Sequence, residues 1–316
     1  MDQQASNQPL FSIVSPVYRA ENILDELVKQ LTEVGDKLTD NYEIILVEDH
    51  SPDKSWAKMM ELGRKYPKVK GIKLSRNFGQ HNAIAAGLYH ASGEYVIVMD
   101  CDLQDNPIYI PQLIEKAREG FDVVYTVKKE RKHNFFKDFT GAVFHRLFNY
   151  LTGNDLVRTD GKIGAYSLIS QKVVAAYRNL HDEYRPYLVM LNILGFEHTF
   201  LNIEHSTRHS GKSSYNLRRL VNHAINGIIS QTDRLLKLSV YMGAFYTFAS
   251  FIYGIWVLYK QFTVGLQSGW PSLVLLITFS TGIILLFLGI IGLYISRIFT
   301  QVKNRPLFIV DKTINF

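Results

Sequence analysis

Two long stretches without any charged residue dominate the C-terminal part of this chain of 316 residues. Residues 238–259 read LSVYMGAFYTFASFIYGIWVLY, and residues 272–296 read SLVLLITFSTGIILLFLGIIGLYIS. Each is longer than the roughly 20 apolar residues with which a helix crosses about 30 Å of hydrocarbon. A buried helix pair in a large soluble domain is the alternative, but uncharged runs of this length favour two membrane spans.

The charges that flank these stretches predict their orientation. Arg234 and Lys237 precede the first stretch, and three basic residues follow the second, whereas the short connection between them carries one lysine. Positive charge is enriched on the cytoplasmic side of membrane spans. We therefore predict a transmembrane hairpin with residues 1–237 and a C-terminal tail, residues 297–316, in the cytoplasm.

The remaining composition agrees with a cytoplasmic domain that meets an anionic partner. The chain has a formal charge of +6 and a single cysteine, which excludes an intrachain disulfide framework and fits a reducing compartment. The polar N-terminus, MDQQASNQPL, lacks the features of a cleavable secretory signal. A nucleic-acid partner is not expected, because the basic residues cluster beside the apolar stretches and no nucleic-acid motif accompanies them.

From residue 10 onwards, short β-rich runs alternate with helical stretches. FSIVSPVY, YEIILVED, VKGIKL and YVIVMD have the near-continuous apolar character of buried strands, and amphipathic segments separate them. This pattern predicts a doubly wound α/β domain with a mostly parallel sheet. We assign residues 1–9 to a polar tail, 10–210 to the α/β domain and 211–237 to an amphipathic helix next to the membrane.

Polar residues follow each of the four predicted strands. They include Glu48 and Asp49 after the second strand and Asp100, Asp102 and Gln104 after the fourth. Parallel sheets bind ligands beyond the carboxyl ends of their strands, so this edge is the predicted site. No GxGxxG sequence follows the first strand, so a dinucleotide fingerprint is absent. Asp53 and Asp105 are interpreted as helix-cap or turn residues.

The sequence VIVMDCDLQD, residues 96–105, carries the clearest chemistry. On an extended chain Asp100 and Asp102 leave the same face and can share one cation, while Cys101 points away as a small buried filler. Carboxylate oxygens suit Mg²⁺ or Mn²⁺, ions that commonly bridge to substrate phosphates. The residues alone therefore predict metal-dependent transfer from an activated nucleotide donor.

Four ordered motifs, SPVYRAEN, VEDHSPDKS, SRNFGQHNAIAAGL and MDCDLQDNP, resemble the family 2 glycosyltransferases of the GT-A fold. Within that family, the chain is most similar to the polyisoprenyl-phosphate glycosyltransferases, including dolichyl-phosphate mannose synthase and bacterial enzymes that charge undecaprenyl phosphate. The similarity extends over about residues 10–235, and the two apolar stretches are typical of the bacterial members. The resemblance implies an inverting transfer from a nucleotide diphosphate sugar, with uridine diphosphate expected, at the bacterial plasma membrane.

The resemblance also assigns residues to roles. It implies nucleotide contacts from Pro16, Tyr18, Glu21, Asp49, Arg76 and Asp100. It implies metal and diphosphate contacts from Asp100, Asp102 and Gln104, with Asp102 also catalytic. It implies acceptor-phosphate contacts from Lys128, Arg131, Arg208, Lys212, Ser213 and Tyr215.

The chain departs from the family pattern at several positions. Lys128 replaces the usual arginine, and Ala165 and Ser167 stand where the family has an aspartate, sometimes assigned as the base, and an arginine. Asp160 is the nearest substitute for that aspartate, although an aspartate before glycine is also typical of a turn. A lipid monophosphate is already ionised at neutral pH, so the reaction can proceed without a strong base.

Two other functions are consistent with the sequence. A processive polysaccharide synthase of the same superfamily would carry a QxxRW stretch, and none of the tryptophans lies in that context. A non-catalytic sugar-nucleotide-binding membrane scaffold would explain the altered stretch at 164–168 but not the intact DCDLQD. Small residues at Gly282, Gly289 and Gly292 would support helix contacts in a homo-oligomer.

Overall fold

The computed structural model describes residues 8–128, 163–182, 185–204 and 269–316, together with single positions between 241 and 263, and within 269–302 it describes only part of the side chains. These residues fall into two compact units. One unit contains every described strand and the helices before residue 205, and the other contains the long helix that begins at Trp270.

The described elements alternate along the chain as the sequence predicts. The strands are β1 (Phe11–Val17), β2 (Tyr42–Glu48), β3 (Val69–Leu74), β4 (Tyr95–Val98), β5 (Val123–Lys128), β6 (Ile163–Ser170), β7 (His198–Ile203) and β8 (Val310–Ile314). The helices are α1 (Leu24–Leu38), α2 (Ser55–Lys65), α3 (Gln80–His90), α4 (Ile110–Arg118), α5 (Gln171–Arg178), α6 (Tyr187–Leu194) and α7 (Trp270–Val302). A 3₁₀ turn, Pro107–Tyr109, precedes α4.

The strands form one sheet in the order β7-β5-β6-β4-β1-β2-β3-β8. Its centre, β4-β1-β2-β3, is parallel. The strand β6 is antiparallel to both β4 and β5, and β8 is antiparallel to β3. The predicted α/β sheet is therefore confirmed, but it is more mixed than the predicted mostly parallel sheet, because two strands that the sequence analysis did not identify enter it antiparallel.

Helices cover both faces of the sheet, as a doubly wound domain requires. Helices α1, α2 and α4 enclose one buried cluster, and α3, α5 and α6 enclose the other. Every residue of β1 and β2 is buried, which explains their near-continuous apolar sequences. Helix α3 lies especially close to β1, since a Cβ at Gly87 would overlap the side chain of Val14.

The C-terminal segment, predicted as a tail, contributes the edge strand β8. Ile314 contacts Gly63 and Gly71, and Asn315 Nδ2 donates to the carbonyl oxygens of Gly63 at 2.8 Å and Val69 at 2.9 Å. Ser75 N, just after β3, donates to Ile309 O at 2.9 Å. The last residues of the chain are thus part of the same sheet as the N-terminal domain.

Helix α7 contains the second apolar stretch of the sequence. Counted over the described residues alone, no helix has a segment long and apolar enough to cross a membrane. The predicted transmembrane hairpin is therefore unsupported by that part of the chain, and most of the first stretch, 238–259, lies outside it. The predicted helix at 211–237 also lies outside the described residues.

Candidate active site

Backbone and side-chain hydrogen bonds join the loops that follow β1 and β2. Arg19 N donates to Ser51 Oγ at 2.8 Å, and Glu21 N donates to Asp53 Oδ2 at 3.2 Å. In return, Glu21 Oε2 accepts from Lys54 N at 3.0 Å. Asp53 also accepts from the backbone and hydroxyl of Ser55, so its predicted role at a helix start is confirmed. Glu21, predicted to contact the nucleotide, here ties one loop to the start of α2.

Asp49 connects the loop after β2 to the loop after β3. Its side chain is 3% exposed, and its two oxygens accept from Phe78 N at 2.6 Å and Gly79 N at 2.8 Å. Asn77 Nδ2 donates to the Asp49 carbonyl oxygen at 3.0 Å. Burial raises the pKa of Asp49, and these backbone bonds oppose that shift. The carboxylate that was predicted to contact the base therefore holds the loop on which Arg76 lies.

Arg76 and Tyr18 are the exposed members of the predicted nucleotide set. The Arg76 guanidinium lies 4.2 Å from the centre of the Phe78 ring, a cation–π distance that restricts its orientation. Tyr18 is 45% exposed. Pro16 belongs to the wholly buried strand β1. A ligand at this edge would thus meet an aromatic ring and a fixed positive charge.

Strand β4 is shorter than predicted and ends before the two predicted metal-binding aspartates. Strand β4 ends at Val98, and residues 101–103 turn, with Leu103 at φ +61°. Strand alternation therefore does not place Asp100 and Asp102 on one face, and that step of the sequence argument was wrong. Cys101 is partly buried, not fully buried as predicted. It packs against the core cluster enclosed by α1, α2 and α4, and burial raises the pKa of its thiol to about 12.

A side chain from α3 and a backbone group of the turn itself donate hydrogen bonds to the two aspartates. Gln80 Nε2, in the first turn of α3, donates to Asp100 Oδ1 at 2.6 Å. Asp102 Oδ1 accepts from Gln104 N at 3.1 Å, which stabilises the turn. Burial, followed by the nearby charges of Asp105 and Asp102, raises the pKa of Asp100 to about 6. The turn therefore combines a buried carboxyl group with two nearby acidic residues.

Lys128 lies at the same place, at the end of β5. Its Nζ is 3.1 Å from Asp105 Oδ1, and Asp105 Oδ2 accepts from Asp100 N at 3.4 Å. Asp105 is 1% exposed, so it is an internal residue of the site and not only the turn residue that was predicted. Asp105 thus connects the predicted acceptor-phosphate lysine to the turn that carries the predicted metal-binding aspartates.

Three non-glycine residues with positive φ lie at this edge. They are Arg19 at φ +54°, His50 at +51° and Leu103 at +61°, and they follow β1, β2 and β4 respectively. Such conformations cost free energy for ordinary residues and cluster where the surrounding structure imposes a site. Their position supports the carboxyl edge as the functional edge.

The altered stretch at 164–168 forms part of β6. Ser167, which replaces the family arginine, is buried, and its Oγ lies 3.0 Å from Ala165 O and 2.9 Å from the hydroxyl of Tyr187. The described part of β6 therefore offers no carboxylate here. The other predicted residues, Asp160, Arg131, Arg208, Lys212, Ser213 and Tyr215, lie outside the described residues.

The described part of the chain contains no group of three or more histidine, cysteine, aspartate or glutamate side chains arranged to hold a metal ion. A divalent cation fits the acidic turn in another way. Asp100 and Asp102 would supply hard oxygen ligands. Burial, and after it the charges of Asp105 and Asp102, raises the pKa of Asp100, and a bound cation would favour its ionised form. Substrate phosphates commonly complete such sites for Mg²⁺.

Sequence reasoning missed two contacts at this edge, those of Gln80 and Asp105. Gln80 directly follows RNFG within the motif SRNFGQHNAIAAGL, and Asp105 is the last residue of DCDLQD. The contact of Gln80 with Asp100 depends on how α3 packs against the sheet. The contact of Asp105 with Lys128 depends on the pairing of β5 with β6.

Comparison with known proteins identifies the family. Residues 12–178 match the sequence model of glycosyl transferase family 2. The chain is 38% identical over 305 residues to the uncharacterized glycosyltransferase YkcC of Bacillus subtilis, covering 96% of this chain and 94% of that protein. It is 35% identical over 302 residues to the uncharacterized glycosyltransferase sll0501 of Synechocystis, covering 95% and 94%. The chain therefore belongs to glycosyl transferase family 2.

The solved structures include more distant matches. Glucosyl-3-phosphoglycerate synthase of Mycobacterium tuberculosis, in a complex with Mn²⁺ and uridine diphosphate, is 15% identical with a TM-score of 0.48. The match covers 71% of this chain and 78% of the synthase.

Proposed function

We propose that this family 2 glycosyltransferase moves a sugar from a nucleotide diphosphate sugar, with uridine diphosphate as the expected nucleotide, to a polyisoprenyl phosphate such as undecaprenyl phosphate. The observation that carries the proposal is that Asp105 joins Lys128 to the acidic turn at one edge of the sheet. One carboxylate oxygen of Asp105 pairs with Lys128, and the other accepts from the backbone N of Asp100, in the turn that also carries Asp102. Acidic ligands suit a metal-bound diphosphate, and a lysine beside them suits the phosphate of the acceptor.

On the donor side, Asp100, Asp102 and Gln104 would hold Mg²⁺ or Mn²⁺, which when bound would neutralise charge on the departing diphosphate. Gln80 orients Asp100 through the 2.6 Å hydrogen bond. Asp49 fixes the loop that presents Arg76. Tyr18 and Glu21 in the loop after β1, and Pro16 near the end of β1, would shape the nucleotide pocket.

On the acceptor side, Lys128 provides positive charge where a phosphate must approach an acidic turn. The phosphate oxygen is already a nucleophile at neutral pH, so positioning and leaving-group stabilisation can account for a single inverting displacement. Asp160 remains the proposed base. Arg131, Arg208, Lys212, Ser213 and Tyr215 remain proposed contacts of the acceptor phosphate.

We further propose that the enzyme acts at the cytoplasmic face of a bacterial plasma membrane. The support comes from the sequence, namely two uncharged stretches with basic residues on their outer flanks. A polyisoprenyl phosphate resides in the bilayer, so an enzyme that uses it must reach the membrane surface.

The experiment is a reaction of the purified full-length protein with undecaprenyl phosphate, Mn²⁺ and a panel of nucleotide sugars, with the lipid product weighed by mass spectrometry. We expect one hexosyl or modified sugar unit per lipid, and loss of product for Asp102→Asn. Asp40→Asn is the matched control, since Asp40 is an exposed aspartate outside the site.

Three outcomes would contradict the proposal. A long polymer would identify a processive synthase. Donor binding with no turnover in either wild type or Asp102→Asn would identify a scaffold. Efficient transfer to a soluble acceptor, with none to the lipid phosphate, would retain the family but reject the acceptor.

A further inference from the structure

Asp105 is a buried carboxylate whose bonding is incomplete. Its side chain is 2% exposed, whereas that of Lys128 is 27% exposed. The 3.1 Å separation makes them an ion pair, yet Asp105 Oδ1 has no well-aligned hydrogen-bond partner among the described residues. A buried carboxylate oxygen without a hydrogen-bond donor raises the free energy of the folded state unless a nearby positive charge compensates. The attraction between the two charges therefore holds Lys128 next to Asp105.

The same carboxylate contacts the acidic turn. Asp105 Oδ2 accepts from Asp100 N at 3.4 Å, a long hydrogen bond that links Asp105 to the start of the turn. Gly164 lies next to the lysine, since a Cβ at this position would be in ordinary van der Waals contact with Lys128 Cε at 3.5 Å and Nζ at 3.6 Å. Asp105 thus sets the separation between Lys128 and the turn that carries Asp100.

We propose that Asp105 is a positioning residue that holds the Lys128 ammonium beside the acidic turn, where it receives the phosphate group of the acceptor. This inference rests on the proposed function. An ammonium group has three donors, so Lys128 can keep its contact with Asp105 and still donate to a phosphate. The carboxylate itself touches neither substrate.

The test uses the full-length protein with Asp105→Asn, Lys128→Met and the double variant. Loss of a charge-assisted contact predicts an increase of about tenfold in the KM for undecaprenyl phosphate in Asp105→Asn, with the donor KM and kcat changed less than about twofold. In the Lys128→Met background, Asp105→Asn should change the acceptor KM little further, since the residue acts through the lysine.

A matched control lies next to the other end of β5, the strand that ends at Lys128. Asp122, just before β5, forms an ion pair with Lys172 at 3.0 Å and accepts from Ser170 Oγ. Asp122→Asn removes an equivalent charge from the opposite end of β5 and should leave the acceptor KM unchanged. A thermal unfolding curve for each variant shows whether the fold is retained.

Additive effects of Asp105→Asn and Lys128→Met, or the same change in KM for Asp122→Asn, would overturn the proposal. A reduced kcat for Asp105→Asn with an unchanged acceptor KM would also overturn it. If wild type uses no lipid phosphate, the proposed function fails separately, and binding of inorganic phosphate decides the inference. Weaker phosphate binding in both single variants supports a positioning role, and equal binding in wild type and Asp105→Asn rejects it.

Discussion

At the scale of single residues, the buried Glu48 makes the stability of the folded protein depend on pH. It is 1% exposed at the end of β2, where Oε1 accepts from Ser51 N and Oε2 has no hydrogen-bond partner among the described residues. Burial raises its pKa above the ordinary value of 4.5, although Ser51 N and then Lys73 oppose the shift. The folded protein therefore retains this proton at pH values where the unfolded chain has lost it.

We predict that Glu48→Gln stabilises the protein increasingly as pH rises. Because the folded state binds the proton more tightly, the contribution of Glu48 to stability falls from pH 4.5 up to the raised pKa, and glutamine does not titrate. The measurement is the difference in thermal midpoint between variant and wild type from about pH 4 to about pH 8. Glu115→Gln, at an exposed position on α4, should show no such trend.

The loop held by Asp49 allows a second test at this scale. Asp49→Ala leaves Phe78 N and Gly79 N without their acceptor, which should lower the free energy of unfolding by about 2 kcal/mol. Because the loop carries Arg76, the donor KM should rise as well. Denaturant unfolding and donor kinetics check both effects, with exposed Asp40→Ala as the control. An unchanged donor KM in a destabilised variant would show that the loop does not contribute to donor binding.

At the scale of secondary-structure elements, the sequence predicted the parallel centre of the sheet well and its edges poorly. Every residue of β1 and β2 is buried, and most residues of β3 and β4 are, so apolar residues mark these four strands in the sequence. The strand β8 has only five residues, VDKTI, with three exposed in the middle, and local pattern does not distinguish it from a tail. Its pairing with β3 depends on contacts more than 200 residues apart in sequence.

The same limit applies within the candidate site. Apolar strands followed by acidic residues located Asp49, Asp100 and Asp102 correctly at the carboxyl edge. The early end of β4 at Val98 depends on how the following turn packs, so strand alternation gave a wrong prediction of the face that the aspartates occupy. The pairing of Asp105 with Lys128 requires β5 to return beside the site, which no local pattern encodes.

The contact between β8 and β3 makes a prediction that belongs to these two elements. A Cβ at Gly71 would lie 2.7 Å from Ile314 Cδ1, so Gly71→Ala should destabilise the protein by about 1–3 kcal/mol. Ile314→Val removes that methyl group and should reduce the cost of Gly71→Ala in the double variant. Thermal unfolding of the four proteins measures the coupling, and strictly additive effects would show that β8 does not pack against Gly71 in solution.

At the scale of the whole molecule, the sheet constrains how the chain can meet a membrane. The described strands within residues 11–128 and 163–203 and the strand at 310–314 belong to one sheet, so these strands lie on the same side of any bilayer. The chain between them must therefore cross a membrane an even number of times, or not at all. Two uncharged stretches within that interval agree with one hairpin.

Cysteine labelling can test this topology, because Cys101 is the only cysteine in the chain. In a Cys101→Ala background, which should remain active because Cys101 only fills space, cysteines replace Ser268 between the stretches, Lys312 in β8 and Lys65 in α2. We expect a membrane-impermeant maleimide to label position 268 in intact spheroplasts, and positions 65 and 312 only after lysis. Equal labelling of all three before lysis would reject the hairpin, and opposite behaviour of positions 65 and 312 would contradict their shared sheet.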